Sequence, residues 1–86
     1  MRIIFHANFK KQYQKLRPSV QKKFKERRDL FLENEFHPIL NNHPLRGKYE
    51  GYRSIGIAGD MRVIFRFITD DIAYFVAIGS YSQLYK

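Results

Sequence analysis

Cysteine is absent from the sequence. That excludes a disulfide framework and any Cys-based zinc site, and it leaves the compartment unmarked by thiol usage. Long apolar runs are missing too. None approaches the roughly 20 residues that a membrane-spanning helix needs. The opening, Met1-Arg2-Ile3-Ile4-Phe5-His6, is too short and too soon charged for a signal peptide, so a cytoplasmic protein with no membrane partner is expected. No glycine-rich loop ends in Lys-Ser or Lys-Thr, which argues against nucleotide hydrolysis. No serine stands in a Gly-x-Ser-x-Gly elbow. His6, His37 and His43 lack the helical spacing of a zinc-binding pair, so neither a metal site nor a small-molecule cofactor is expected. Repeats, low-complexity segments and linkers are also missing, and residues 1–86 read as one domain. Acids are scarce: 8 Asp and Glu stand against 16 Lys and Arg, a net charge of +8. An excess of that size on so small a domain points to a polyanionic partner, nucleic acid first and an acidic protein second. A merely soluble basic surface is the bland alternative.

What is present suffices for a packed core: 44 % of residues are apolar and 16 % aromatic, which speaks against disorder. Arg2 to Phe5 reads as a first strand, followed by Asn8 as a helix N-cap. Phe9, Tyr13 and Leu16 form one apolar stripe, and Pro18-Ser19 starts a second helix that carries Val20, Phe24 and Phe31 to about Glu33 or Asn34. The two helices are expected to lay their stripes on a sheet as an antiparallel hairpin. Asn34 to Asn42 is an irregular connector. His37-Pro38 and His43-Pro44 are extended or turn dipeptides, because the residue before proline avoids the α region. Three strands follow, rich in Ile, Val, Phe and Tyr and punctuated by turns at Gly59-Asp60 and Thr69-Asp70-Asp71. The expected class is α+β: a strand, a helical hairpin and an antiparallel meander in one sheet of about four strands.

Register decides what that sheet can do. A two-residue turn at Gly59-Asp60 pairs Ile57 with Arg62 and mixes cations with aliphatics on one face. A three-residue turn, Ala58-Gly59-Asp60, shifts the pairing by one. Ile55 and Ile57 then share a face with Met61, Val63 and Phe65, while Tyr52, Ser54 and Gly56 share the other with Arg62 and Arg66. The second register is preferred because it separates a core from a cationic face. It leaves Arg53 on the apolar side, at the rim or paired with an acid.

A cationic groove with hydroxyls, a histidine and one or two acids suits cleavage of RNA by attack of a 2′-hydroxyl on its own phosphate. That reaction runs on a base, an acid and cations around the phosphate. Arginine grips two phosphate oxygens with one fork, and aromatic rings stack splayed bases.

Three blocks carry a resemblance over essentially the whole chain. They are His43-Pro44-Leu45-Arg46-Gly47 with Gly51-Tyr52-Arg53, then Gly59-Asp60-Met61-Arg62-Val63-Ile64-Phe65, then Ile78-Gly79-Ser80-Tyr81-Ser82-Gln83-Leu84-Tyr85. In this order they resemble the RelE/YafQ-type toxins of bacterial toxin–antitoxin pairs, within the wider RelE/ParE group. The resemblance implies a small basic mRNA interferase that works on mRNA at the ribosome and inhibits translation. It further implies a cognate acidic antitoxin that wraps the toxin, and a toxin that is monomeric alone.

Carried over by position, His43 matches the histidine opening the His-x-Leu-x-Gly block, and Asp60 the acid of the turn. Arg62 matches the phosphate-contacting arginine, and Tyr85 the aromatic residue of the tail. Tyr81 stands where many relatives have a catalytic histidine, and Gly56 where some place His or Lys. Arg46, Lys48, Arg53 and Arg66 become RNA or ribosome contacts. Each has a plainer counterpart: His43 braces the loop before Pro44, Asp60 forms a turn, Tyr81 packs at a strand end and Tyr85 anchors a tail. A phenol is a weaker base than imidazole near neutral pH, which favours Tyr81 as a positioning donor or stacking platform. Two non-cleaving readings remain beside the nuclease: a gyrase-binding protein of the ParE type, and a degenerate member that only binds RNA or antitoxin. An ordinary nucleic-acid-binding module is the third.

Overall fold

β-Branched and aromatic residues form strands where the sequence clusters them, and proline adds one more. The computed structural model describes residues 1–85. It runs β1 (Arg2–Phe5), α1 (Ala7–Gln14), α2 (Pro18–Glu33), a 3-10 turn (Pro38–Leu40), β2 (His43–Pro44), a second 3-10 turn (Gly47–Tyr49), β3 (Arg53–Ala58), β4 (Met61–Thr69), β5 (Ile72–Ser80) and α3 (Tyr81–Leu84). The sheet order is β1-β5-β4-β3-β2, with β1 parallel to β5 and every other pair antiparallel. The α+β class and the order of elements agree with the sequence. The strand count differs, five against about four. The extra strand is the His43–Pro44 dipeptide, held extended by its proline and paired with Ser54 and Arg53 of β3. A sheet edge tolerates proline because the missing N–H is not needed there.

The helices dock through side chains that reach main-chain groups. Asn8 is not the N-cap of α1. His6 is, and its Nδ1 accepts the Asn8 N–H at 2.9 Å. Asn8 lies inside the first turn instead, and its Nδ2 donates to the Val76 carbonyl at 3.1 Å. The Ile78 N–H donates to Gln12 Oε1 at 2.8 Å. Both bonds tie α1 to β5 beside Val76, which is skipped in the pairing with β4 and leaves main-chain groups to be satisfied. α2 starts at Pro18, where a missing N–H costs nothing.

The core lies between the helices and one face of the sheet. Phe9, Phe24 and Phe31 pack there with Ile55, Ile57, Val63, Phe65, Phe75 and Ile78. Phe31 is fully buried, and its ring stands edge-on to Phe65 at 5.2 Å and to Phe75 at 5.4 Å. The other face is only partly covered. Ile64, Ala77 and Leu84 form a smaller cluster there, closed by Leu45, Tyr49, Tyr52 and Tyr85.

The β3–β4 hairpin reaches the expected faces by a different route. Ala58 pairs with Met61, so the turn is the two residues Gly59-Asp60, with Gly59 at φ +54°. A bulge at Ile57 then shifts the register, and Gly56 faces Arg62 while Ile55 faces Val63. The turn is therefore shorter than the preferred three residues, and the bulge supplies the extra one. The Ile57 side chain remains in the core, and its carbonyl accepts the Arg27 Nε–H from α2 at 3.1 Å.

Phe31 links β4 and β5 to α2, so its truncation tests the core directly. Phe31→Ala is expected to lower stability by about 3–5 kcal/mol. Urea denaturation followed by circular dichroism measures it, and a loss below about 1 kcal/mol contradicts this packing.

Candidate functional site

On the open face the alternation of β4 sends Arg62 outward, between Gly56 of β3 and Gly79 of β5. Two glycines beside it leave its guanidinium uncovered by neighbouring strands. Arg62 Nη1 donates to the Gly59 carbonyl at 3.0 Å and to the Met61 carbonyl at 3.1 Å. Those bonds fold the head back over the turn. The side-on fork of Nε and Nη2 has no partner among the described residues, and it is the pair of donors that suits two oxygens of one phosphate.

β2 brings His43 to the same face, opposite Ser54. The His43 ring contacts the Asn41 carbonyl through Nδ1 at 2.7 Å. A carbonyl oxygen only accepts, so Nδ1 carries a hydrogen and, in the neutral ring, Nε2 keeps the free lone pair. Asn41 presents its carbonyl this way because it closes the 3-10 turn in the left-handed region, φ 49° and ψ 47°, which asparagine tolerates better than most residues.

α3 supplies the opposite wall. Ser80 and Gln83 make a reciprocal capping box that starts it. The Tyr81 N–H donates to the Asp60 carbonyl at 2.9 Å, and Tyr49 Oη donates to the Leu84 carbonyl at 3.1 Å. The rings of Tyr81 and Tyr85 lie 4.7 Å apart, and Tyr85 is edge-on to Tyr49 at 5.8 Å. Gly79 permits this approach. A Cβ there would stand 3.0 Å from Gln83 Oε1 and 3.4 Å from Leu84 Cδ2.

Between these walls lies a cavity of about 280 Å³, lined by Asn41, His43, Leu45, Arg46, Ser54, Arg62, Tyr81 and Tyr85. Five side chains singled out from the sequence thus converge: His43, Arg46, Arg62, Tyr81 and Tyr85. Among the described residues no carboxylate lines the cavity, and two guanidinium groups and an imidazole face it. Tyr81 is 58 % exposed, which leaves its hydroxyl and ring face open to a ligand.

The other expected contacts fall elsewhere. Asp60 reaches the site only through its main chain. Arg66 is on the open face but one row away, above the Tyr74 ring at 5.8 Å. Lys48 lies over the Tyr49 ring at 5.2 Å, on the outside of the 45–52 loop. Arg53 is on the helix side, as its register implied. Its Nε donates to Asn42 Oδ1 at 2.7 Å, and the guanidinium covers Phe36 at 5.4 Å. Its partner is therefore an amide and a ring, not an acid. Among the described residues no group of three or more His, Cys, Asp and Glu could hold a metal ion.

Ser54 and Asn41 were missed as site residues. Ser54 is fully buried and lines the cavity, and its Oγ has no hydrogen-bond partner among the described residues. A desolvated, unpartnered hydroxyl costs stability. Ser54→Ala is accordingly expected to raise stability by about 1 kcal/mol. Thermal denaturation checks this, and a fall in the midpoint means the hydroxyl is satisfied in solution.

The whole chain, residues 1–86, matches the model of the family described as "Bacterial toxin of type II toxin-antitoxin system, YafQ". Comparison with curated proteins gives no match. Among solved structures, YafQ from E. coli is similar with a TM-score of 0.77 at 24% identity, covering 98% of this chain and 97% of that one. The E. coli DinJ-YafQ toxin-antitoxin complex contains a chain similar at TM-score 0.74 and 24% identity, over 98% of this chain and 96% of that one. The YoeB/ParE toxin from Agrobacterium tumefaciens reaches TM-score 0.78 at 16% identity, over 94% and 99%. Those likenesses bear on the fold, a RelE-like one, and the family match covers the cavity with all its walls. The chain belongs to the YafQ family of toxins of type II toxin–antitoxin systems.

Proposed function

We propose that this toxin is an endoribonuclease that cuts mRNA at the ribosome and so inhibits translation. One observation carries the reading: Arg62 shares one cavity with His43 on one side and Tyr81 and Tyr85 on the other. The Arg62 fork holds two non-bridging phosphate oxygens and stabilises the charge that grows on them as a fifth oxygen adds. Arg46 adds a second cation. His43 Nε2 takes the proton from the 2′-hydroxyl, because Nδ1 is committed to Asn41. The 2′-oxygen forms its bond to phosphorus and the bond to the 5′-oxygen breaks. Tyr81 Oη gives the leaving oxygen its proton, and Tyr85 offers a ring on which a base stacks. The products are a 2′,3′-cyclic phosphate and a 5′-hydroxyl. Asp60 contributes by holding the first turn of α3, and thereby Tyr81, through its carbonyl.

An acidic antitoxin is the partner we assign. The E. coli relative is seen in complex with DinJ, and this chain carries a net charge of +8. Among the described residues no helix is long and apolar enough to cross a membrane, which is compatible with work at ribosomes in the cytoplasm.

Arg62→Ala is the deciding variant, because its side chain leaves only hydrogen bonds to carbonyls at the turn. In a host without the antitoxin, wild type is expected to arrest growth and produce discrete mRNA breaks mapped by primer extension. Arg62→Ala is expected to lose on the order of 100- to 1000-fold in cleavage with an unchanged circular dichroism spectrum. Growth arrest with intact mRNA and a DNA-damage response would transfer the case to gyrase. A harmless wild type ends the toxin-nuclease reading.

A further inference from the structure

A second cavity, of about 230 Å³, opens at the edge of β3 beyond the two residues that β2 covers. Arg27, Asn41, Gly56, Gly59 and Arg62 line it with the bulged Ile57, and Arg62 is common to both cavities. Among the described residues no acid lines it, and neither Arg27 nor Arg62 belongs to an ion pair. Both arginines are held by main-chain carbonyls. Arg27 spends Nε on Ile57, and Arg62 spends Nη1 on Gly59 and Met61. Anchored in this way, two like charges face one space with donors to spare, and their repulsion is relieved when an anion enters. Asn41 also lines both cavities, and Gly56 lines the second one. A Cβ at Gly56 would lie 3.6 Å from Arg62 Nη1 and 3.8 Å from the Leu40 carbonyl, so any longer side chain would take up space beside the Arg62 head.

We propose that Arg27, together with Arg62 and the bare backbone at Gly56, forms a second phosphate subsite that holds the phosphodiester next to the scissile one. This rests on the RNA reading above. A single strand of RNA then crosses the sheet edge over Gly56, with one phosphate on each side of Arg62. The shared arginine favours RNA over an acidic protein side chain, since successive phosphates of one strand recur at short intervals and both cavities need filling. Arg27 is a binding residue and touches no reacting atom.

The test uses the purified full chain and a fluorescein-labelled, fully 2′-O-methylated single-stranded RNA, which is bound without being consumed. Affinity is measured over a series of salt concentrations for wild type, Arg27→Gln, Arg27→Lys and Gly56→Leu. Glutamine keeps a donor for the Ile57 carbonyl and removes the charge, whereas lysine keeps the charge. Gly56→Leu keeps both arginines and fills space in the second cavity beside Arg62. One lost phosphate contact on a single strand lowers the log–log salt slope by about 0.7, which at 0.1 M salt is a loss of about 5-fold. Arg27→Gln and Gly56→Leu are expected to show that loss in both slope and affinity, while Arg27→Lys keeps the wild-type slope. A fluorescent oligoglutamate peptide is titrated alongside. Wild-type slope and affinity in both Arg27→Gln and Gly56→Leu overturn the subsite and leave the RNA reading standing. Equal weakening in Arg27→Gln and Arg27→Lys with an unchanged slope assigns Arg27 to the fold alone and overturns it too. Selective loss of the oligoglutamate peptide gives the cavity to an acidic protein. A wild type that binds no RNA overturns both this subsite and the nuclease reading.

Discussion

The position of one residue in β3 governs which way Arg62 points. Without the bulge at Ile57, the short Gly59-Asp60 turn would pair Ile57 with Arg62 and Ile55 with Ile64, since side chains alternate strictly along a strand. Cations would then face the helices, and aliphatic residues would face water. The bulge absorbs the mismatch between a two-residue turn and a sheet with one dry face. Its own loose carbonyl is taken by Arg27 of α2, 30 residues away in the chain. A helix side chain therefore supports the register that turns Arg62 to the open face, and the helical layer and the candidate site are not independent parts.

Aromatic rings divide the labour between the two faces. Phenylalanines fill the helix side, where Phe9, Phe24, Phe31, Phe65 and Phe75 meet mostly at tilted or perpendicular angles that suit ring quadrupoles. Tyr13 joins them, but four tyrosines gather on the other side, where Tyr49, Tyr52, Tyr81 and Tyr85 each offer an apolar body and a polar tip. That choice lets the smaller cluster be both packing and cavity wall. Tyr49 illustrates it: its ring supports Tyr85 while its hydroxyl ties down the last turn of α3.

Much of this was legible in the sequence where local rules decide. Val20, Phe24 and Phe31 at helical spacing, Pro18 at a helix start and the separation of Ile55, Val63 and Phe65 from Arg62 all follow from periodicity. The extended His43-Pro44 follows from proline, although only the sheet shows that two residues suffice for a strand. Ser80-x-x-Gln83 is a capping box visible in the sequence, and reading it would have placed α3 and the wall that carries Tyr81. Other features depend on distant partners and leave no local trace. Arg27 binding a bulge carbonyl, Asn41 aiming its carbonyl at His43 and Arg53 settling between Asn42 and Phe36 are of that kind. Four of the cavity residues, His43, Arg62, Tyr81 and Tyr85, came from matching motif positions, whereas Arg46 and Lys48 were named for charge alone; Arg46 lines the cavity and Lys48 does not, since charge says nothing about where in a loop a side chain turns.

β2 ends after two residues, so the outer rim of β3 from Ile55 onward has no neighbouring strand. Such a rim is a template on which a second chain could add itself, the first step of edge-to-edge aggregation. Here the backbone kinks at Ile57, Arg27 plugs the carbonyl that the kink turns out, and the Pro38–Leu40 turn crowds the approach near Gly56. The border of the sheet most open to strand addition is thus kept closed to copies of the same chain.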